Sequence, residues 1–245
     1  LPPITLFAST QMHNHTPARV AFLHKAGIQR VILARELTLE EIRAVHQQVP
    51  DVELETFVHG ALCVSYSGQC YLSCALGGRS GNRGQCAQPC RKAYDLLDDQ
   101  GNALLQEKYL LSLKDLNLSQ DLAALLDAGV TSFKIEGRLK DKAYVMNITA
   151  FYRERLDRQL NHRGLQKSSS GACQPDFTPD PRKTFNRGFT RYFLHGRREP
   201  VGSPDTPKSI GEPLGRVTQL SRSSFRIDGY ASVVNGDGLC FFNPQ

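Results

Sequence analysis

Four of the seven cysteines, Cys63, Cys70, Cys86 and Cys90, cluster with the spacing C-x6-C-x15-C-x3-C. Thiolates are the donors that structural zinc and iron–sulfur clusters both require, because soft sulfur binds these metals well only after losing its proton. A disulfide pair is the other use of such a quartet. The chain opens Leu-Pro-Pro-Ile-Thr, with no initiator Met, basic segment or apolar leader core, so nothing signals secretion. Disulfides are rare in the cytoplasm, and one cytoplasmic metal-cluster site is therefore expected over two bridges. The paired C-x2-C knuckles of a zinc ribbon are missing, although spacing alone does not choose between zinc and a cluster. Cys74 repeats the C-x3-C spacing from Cys70 and is a fifth candidate ligand. Cys173 and Cys240 read as a free surface thiol and a small core residue.

Charge around the quartet is one-sided. No acidic residue occurs between Glu55 and Asp95, whereas Arg79, Arg83, Arg91 and Lys92 do. From Arg182 to Arg198 acids are again absent, and Arg182, Lys183, Arg187, Arg191, Arg197 and Arg198 alternate with Phe185, Phe189, Tyr192 and Phe193. Guanidinium groups among aromatics suit phosphate binding and base stacking; a solvated basic face is the plainer reading. The net charge of +6 attracts polyanions without specifying one. No run approaches the roughly 20 apolar residues of a membrane span, so no membrane association is expected.

The elements that must position these residues alternate. Ile4–Ala8, Arg30–Ala34, Val52–Val58, Tyr94–Leu97, Tyr109–Ser112 and Ser132–Glu136 read as strands. Thr16-Pro17 predicts a helix start closed by Gly27, and Thr38 with Glu41 predicts a capping box for a helix ending near Gln48 before Pro50. Ser119 is the expected cap of a helix carrying Leu122, Leu125 and Leu126. From Asp141 a longer helix presents Val145, Ile148, Tyr152 and Leu156 as a core stripe. Repeated strand-helix units imply an α/β fold with a parallel sheet, and the absence of G-x-G-x-x-G favours part of a β/α (TIM-like) barrel over a nucleotide-binding open sheet. Barrel chemistry collects after strand C-terminal ends, which is where the cysteine loop, residues 63–90, begins. Residues 1–160 would form this partial barrel, the Ser-, Gly- and Pro-rich 161–183 a linker, and 184–245 a small antiparallel β-barrel domain, cut short at Gln245. Ile210, Gly215–Leu220, Phe225–Ile227 and Gly236–Phe242 supply its short strands.

The stretch Glu55-Thr-Phe57-Val-His59-Gly60-Ala61-Leu62-Cys63, continuing through Gly68-Gln-Cys70-Tyr-Leu72-Ser73, closely resembles the signature of the collagenase-like peptidase family. Leu33-Ala-Arg35-Glu36-Leu37, Asn82-Arg-Gly84-Gln-Cys86-Ala-Gln-Pro-Cys90-Arg91, Ser112-Leu-Lys114-Asp115-Leu116, Lys134-Ile-Glu136-Gly137-Arg138 and Phe185-Asn186-Arg187-Gly188-Phe189 agree with it. The resemblance covers most of the chain and implies an internal portion of a longer protein. Despite the family's name, it implies an oxygen-independent hydroxylase that uses prephenate as co-substrate and carries a [4Fe–4S] cluster on Cys63, Cys70, Cys86 and Cys90. The tight Cys86-x3-Cys90 spacing resembles the RNA-modifying branch rather than the one acting on ubiquinone precursors. The wording Tyr71-Leu-Ser-Cys-Ala-Leu-Gly-Gly-Arg79-Ser-Gly-Asn82 resembles members that make 5-hydroxycytidine in 23S ribosomal RNA; tRNA uridine hydroxylation is the alternative.

Prephenate carries two carboxylates, which arginine forks match, so Arg79, Arg83, Arg91 and Arg138 are the candidates to hold it. Glu55, Phe57 and His59 share a strand face, where Glu55 and His59 would form a hydrogen-bonded pair near the cluster. Glu136 and Lys134 share a face of the last strand, either positioning substrate or pairing internally. The competing readings are a zinc-stabilised RNA-binding module and a peptidase. For the latter the chain offers no H-E-x-x-H and no G-x-S-x-G, and Ser80 lies in a glycine-rich turn.

Overall fold

The structure, a computed structural model, describes residues 4–168, 170–172, 174–229 and 232–241. A short strand β1 (Phe7–Ala8) leads to helix α1 (Pro17–Lys25), whose N-terminus Thr16 caps by accepting the Arg19 N–H, with Pro17 in the first turn. Gly27, at φ +93°, turns the chain into β2 (Arg30–Ile32). The capping box forms as the sequence predicts: Thr38 Oγ1 accepts the Glu41 N–H, and Glu41 Oε2 accepts the Thr38 N–H, starting α2 (Leu39–Gln48). The central strand β3 (Glu53–Gly60) follows, and then the cysteine loop with its single regular helix α3 (Leu72–Gly77). A hairpin of β4 (Tyr94–Leu97) and β5 (Ala103–Lys108) precedes β6 (Asp115–Asn117), α4 (Leu122–Asp127), β7 (Val130–Ile135) and the long α5 (Lys142–His162). The chain ends in β8 (Phe189–Thr190), β9 (Gly215–Leu220) and β10 (Phe225–Gly229).

Strands β1, β2, β3 and β7 are parallel neighbours, with β3 between β2 and β7. At its C-terminal tip β3 also pairs with β6, antiparallel, through His59–Asn117 and Gly60–Leu116, and β8 adds to β6. The fold is thus α/β with parallel strands and helical crossovers, and among the described strands the sheet does not close into a barrel. Val31, Leu33, Leu54, Val58, Leu125, Val130 and Ile148 are fully buried between sheet and helices. Each such side chain contributes about 1.5–3 kcal/mol through burial.

Several expected elements differ. Tyr109–Ser112 is a turn, and the partner of β4 is Ala103–Lys108 instead. Ser119 does not cap α4; that position belongs to Asp121, whose carboxylate accepts from His195 Nε2 at 2.7 Å rather than from the helix. α5 buries Ile148 and Tyr152 as expected, with Tyr144 and Phe151 beside them, whereas Val145 is 49% exposed. β9 and β10 form an antiparallel hairpin with a register shift at Arg226/Ile227. The described part of Gly236–Phe242 forms no strand, and Phe242 lies outside the described residues, as does Cys173. Cys240 is exposed rather than a core residue. No described helix is long and apolar enough to cross a membrane.

Candidate functional site

The C-terminal ends of β2, β3 and β7 lead toward the cysteine loop, and the segments after β2 and β7 bring charge with Arg35, Glu36 and Glu136. Gly60 ends β3 at φ +102°, so close to its neighbour that a Cβ there would stand 2.4 Å from the Glu136 carbonyl. Three residues on is Cys63. Its thiol is pushed up by burial and by the nearby Cys70 and Cys90, against a backbone N–H from Ser65 and the charge of Arg35. Cys90 is likewise raised by burial, with Cys86 and Cys70 adding to it and Arg91 opposing. The four predicted thiols therefore share one electrostatic neighbourhood, and the Sγ of Cys86 accepts the Gln88 N–H at 3.2 Å. Cys74 sits exposed on α3.

The four thiols, with Arg35 and Arg91 beside them, are a set of soft sulfur donors. Bound metal replaces the protons and turns the mutual repulsion of thiolates into ligation. Among the described residues no three His, Cys, Asp or Glu side chains converge tightly enough for a single ion. The donor chemistry fits a thiolate-bound cluster, which spreads its ligands over several metal atoms.

The arginines around the loop hold it together. Arg91 donates from Nη1 to Ser112 Oγ and the Leu113 carbonyl, both at 2.7 Å, and from Nη2 to the Leu62 carbonyl at 3.0 Å, so the Cys90 turn is pinned to the residue before Cys63. Arg138 donates to the Gly84 carbonyl at 2.7 Å, and Arg79 to the Gln85 carbonyl at 3.0 Å. Ser73 Oγ donates to the Arg79 carbonyl and accepts from the Ala87 N–H, joining α3 to the Cys86 segment. Arg83 is exposed. Three of the four arginines that the sequence offers as forks thus spend donors on backbone carbonyls in or flanking the cysteine loop.

Glu55 and His59 do not pair. Glu55 accepts from Ser132 Oγ at 2.7 Å and Lys134 Nζ at 3.1 Å, with Arg30 at 3.4 Å. Burial alone would raise its pKa, but these bonds and charges bring it below the ordinary value. Lys134 thereby pairs with Glu55 rather than Glu136. His59, 1% exposed, meets Tyr152 Oη at 3.2 Å, and burial lowers its pKa to about 4, so the ring is neutral at pH 7. Glu136 takes Arg35 Nη2 at 3.1 Å and the Arg138 N–H at 3.0 Å.

Sequence reasoning left several site residues unassigned. Arg35 stacks its guanidinium 3.8 Å above the Phe57 ring, reaches Glu136 and feels Cys63. Glu36 accepts both the N–H and Oγ–H of Ser67, at 2.9 and 2.8 Å, tethering the loop between Cys63 and Cys70. Asp115 holds Arg187 at 2.9 Å, both almost fully buried. All of these lie in motifs that carry the family resemblance, which was the available signal. In the basic stretch 182–198, three of the six Lys and Arg residues pair with carboxylates outside it: Arg182 with Asp180, Arg187 with Asp115 and Arg191 with Glu199. Tyr192 and Phe193 stack on each other at 3.9 Å.

Comparison with known proteins places the chain among named relatives. The chain is 50% identical over 240 residues to the 23S rRNA 5-hydroxycytidine C2501 synthase of Escherichia coli, covering 98% of this chain and 37% of that protein. It is 40% identical over 255 residues to tRNA hydroxylation protein P1 of Bacillus subtilis, covering 100% of this chain and 59% of that protein. It is 33% identical over 260 residues to a collagenase of Porphyromonas gingivalis, covering 98% of this chain and 61% of that protein. The chain therefore spans between about a third and two thirds of the length of these relatives. No solved structure matches. The clustered cysteines, the pinned loop between them and the match of residues 1–203 to the family's own pattern lead to one assignment: the chain belongs to peptidase family U32.

Proposed function

We propose that this chain is the cluster-bearing portion of a cytoplasmic RNA hydroxylase that forms 5-hydroxycytidine in 23S ribosomal RNA. The observation that carries the reading is the 50% identity over 98% of the chain to a protein named for that reaction. Cys63, Cys70, Cys86 and Cys90 would hold a [4Fe–4S] cluster, which supplies redox or Lewis-acid chemistry when bound. Prephenate is the proposed source of the hydroxyl group. The sheet would be an arc of a β/α barrel, with the site at its carboxyl end.

The chain's own residues supply the setting. Arg35 and Arg91 set positive charge beside the thiols, offsetting the negative charge of a thiolate set. Arg79, Arg91 and Arg138 keep the loop closed around it. A target base must leave its stack before an enzyme can act on its ring, so a single-stranded or assembling region of RNA is the expected substrate. tRNA hydroxylation is the second reading, favoured by the 40% identity to a protein of that name.

Peptidase chemistry finds less support. Burial raises the thiols of Cys63 and Cys90, and no described serine hydroxyl or thiol near them is bonded to a histidine. The test is mass spectrometry of ribosomal RNA and tRNA from cells lacking the protein, complemented with wild type or Cys63→Ala. Loss of 5-hydroxycytidine from 23S RNA, restored by wild type alone, supports the reading. Loss of a hydroxylated tRNA uridine instead selects the second.

A further inference from the structure

The segment after β1 brings two histidines against the cysteine loop. A single 3-10 turn, Thr10–Met12, ends at His13, which takes the left-handed conformation at φ 55° and donates its N–H to the Thr10 carbonyl. That conformation disfavours any residue with a Cβ, so the surroundings must hold it in place. Asn14, fully buried, donates to the Ser9 and Ile32 carbonyls at 2.9 Å each, and its own carbonyl accepts the Ala34 N–H at 3.0 Å. Gly68, at φ +72°, passes so close to the turn that a Cβ there would clash with the Gln11 carbonyl. His13 Nδ1 meets the Ser67 carbonyl at 3.0 Å, which fixes the ring on the loop between Cys63 and Cys70.

Three rings gather there. His13 and His15 stack with centroids 3.9 Å apart, and Tyr66 meets His13 edge-on at 6.0 Å. His15 is exposed and Tyr66 is 52% exposed, so the cluster is open to a ligand. Proton placement follows from the acceptors. His13 Nδ1 faces the Ser67 carbonyl and, at 3.5 Å, the Glu36 carboxylate, while His15 Nδ1 faces the His13 carbonyl at 2.9 Å. A carbonyl or carboxylate has no proton to give, so each Nδ1 carries the hydrogen, and in the neutral ring Nε2 is left as an acceptor. Neither Nε2 has a hydrogen-bond partner among the described residues. Glu36 is itself buried and occupied by Ser67. The chain from Thr56 to Tyr94, which carries Tyr66, has Arg79, Arg83, Arg91 and Lys92 and no carboxylate, a balance that suits a polyanion.

We propose that Tyr66, His13 and His15 form a subsite for one unpaired base of RNA, with Tyr66 the stacking face and Nε2 of His15 an acceptor for a base amino group. An aromatic face stacks with any base. A bare ring nitrogen discriminates: it accepts from the N4 amino group of cytosine and has nothing to accept from O4 of uracil. The subsite therefore selects cytidine over uridine. It rests on the reading of the chain as an RNA hydroxylase, and deepens that reading by assigning what holds a base beside Cys63 and Cys70.

The test is fluorescence anisotropy of labelled oligocytidine and oligouridine with the intact protein at pH 8. The variants are Tyr66→Ala, Tyr66→Phe, His15→Phe and, as a control on an exposed histidine in the last turn of α5, His162→Phe. Wild type and the control should prefer oligocytidine. Tyr66→Ala should bind both oligomers about fivefold or more weakly, the loss of one stacked base, whereas Tyr66→Phe should bind as wild type does. His15→Phe keeps a ring without the acceptor, so its affinity for oligocytidine should fall to that for oligouridine. Tyr66 and His15 lie on the surface, and an unchanged melting temperature checks that their variants fold. Wild type that binds neither oligomer, or both equally, overturns the subsite, as does wild-type binding by Tyr66→Ala. Mass spectrometry of cellular RNA separates the two readings. Normal 5-hydroxycytidine in cells carrying only Tyr66→Ala overturns the subsite and leaves the hydroxylase. The expected binding pattern, with no hydroxylated pyrimidine lost from cells lacking the protein, leaves the subsite and removes the hydroxylase.

Discussion

Arg35 and Glu136 are 101 residues apart in sequence and meet at 3.1 Å, tying the end of β2 to the end of β7 across Phe57. Both side chains are mostly shielded, at 16% and 28% exposure, so removing one leaves the other's charge desolvated. Glu136→Ala should cost about 2 kcal/mol of stability. Urea unfolding of Glu136→Ala, Arg35→Met and the double variant checks this. A double variant no worse than either single confirms coupling; additive losses deny it.

His59 gives the protein an acid-sensitive limb. Its pKa is lowered from 6.5 to about 4 in the folded state, so below pH 6.5 the unfolded chain takes up a proton that the folded chain refuses. Stability contributed by the neutral ring is complete above pH 6.5 and falls between pH 6.5 and about 4, by up to about 3 kcal/mol. Unfolding free energy measured at pH 7 and pH 5 should therefore drop in wild type by more than in His59→Gln. Equal drops would assign the acid limb to other groups.

Gly60 is where the sheet touches the loop. A side chain there would clash with the Glu136 carbonyl and force φ +102° on a residue that resists it. Gly60→Ala should cost about 1–3 kcal/mol and displace the chain leading to Cys63. Thermal melting reads the first effect, and iron content of the anaerobically purified protein the second. An unchanged melting temperature would mean that the contact relaxes without cost.

Arg91 bonds three acceptors that close the cysteine loop on itself. Arg91→Met should open residues 63–90 locally, at about 2–3 kcal/mol for the lost charged hydrogen bonds. Hydrogen exchange of that segment should accelerate while β2 and β3 stay protected. Acceleration spread over the whole chain would make Arg91 a global support instead.

These relationships show what was legible in the sequence. Thr16-Pro17 and the Thr38–Glu41 box act within one turn of backbone, and both helices start where those residues place them. The cysteines could be put at the end of the central strand because the apolar run of β3 stops at Gly60. β6, in contrast, is three residues, Asp115–Asn117, whose strand character comes from pairing with His59 and Gly60 far away in sequence. Side-chain periodicity placed Ile148 and Tyr152 of α5 correctly in the core but chose Val145 for the first turn, where Tyr144 turns inward with its Oη on the Glu136 carbonyl and Val145 is left outside. Composition named the arginines of the site but not their partners. Whether a guanidinium meets substrate or a distant backbone carbonyl depends on tertiary contacts, as Arg91 and Arg138 show.

On the proposed function, Cys63, Cys70, Cys86 and Cys90 together hold an iron–sulfur cluster. The most direct test is iron, acid-labile sulfide and zinc content, with visible absorption, of the anaerobically purified protein and of alanine variants at those four positions and at Cys74. Iron with sulfide is expected in wild type and in Cys74→Ala, and loss of both in each of the other four. Zinc without sulfide, or iron and sulfide kept when any of the four is removed, would contradict it.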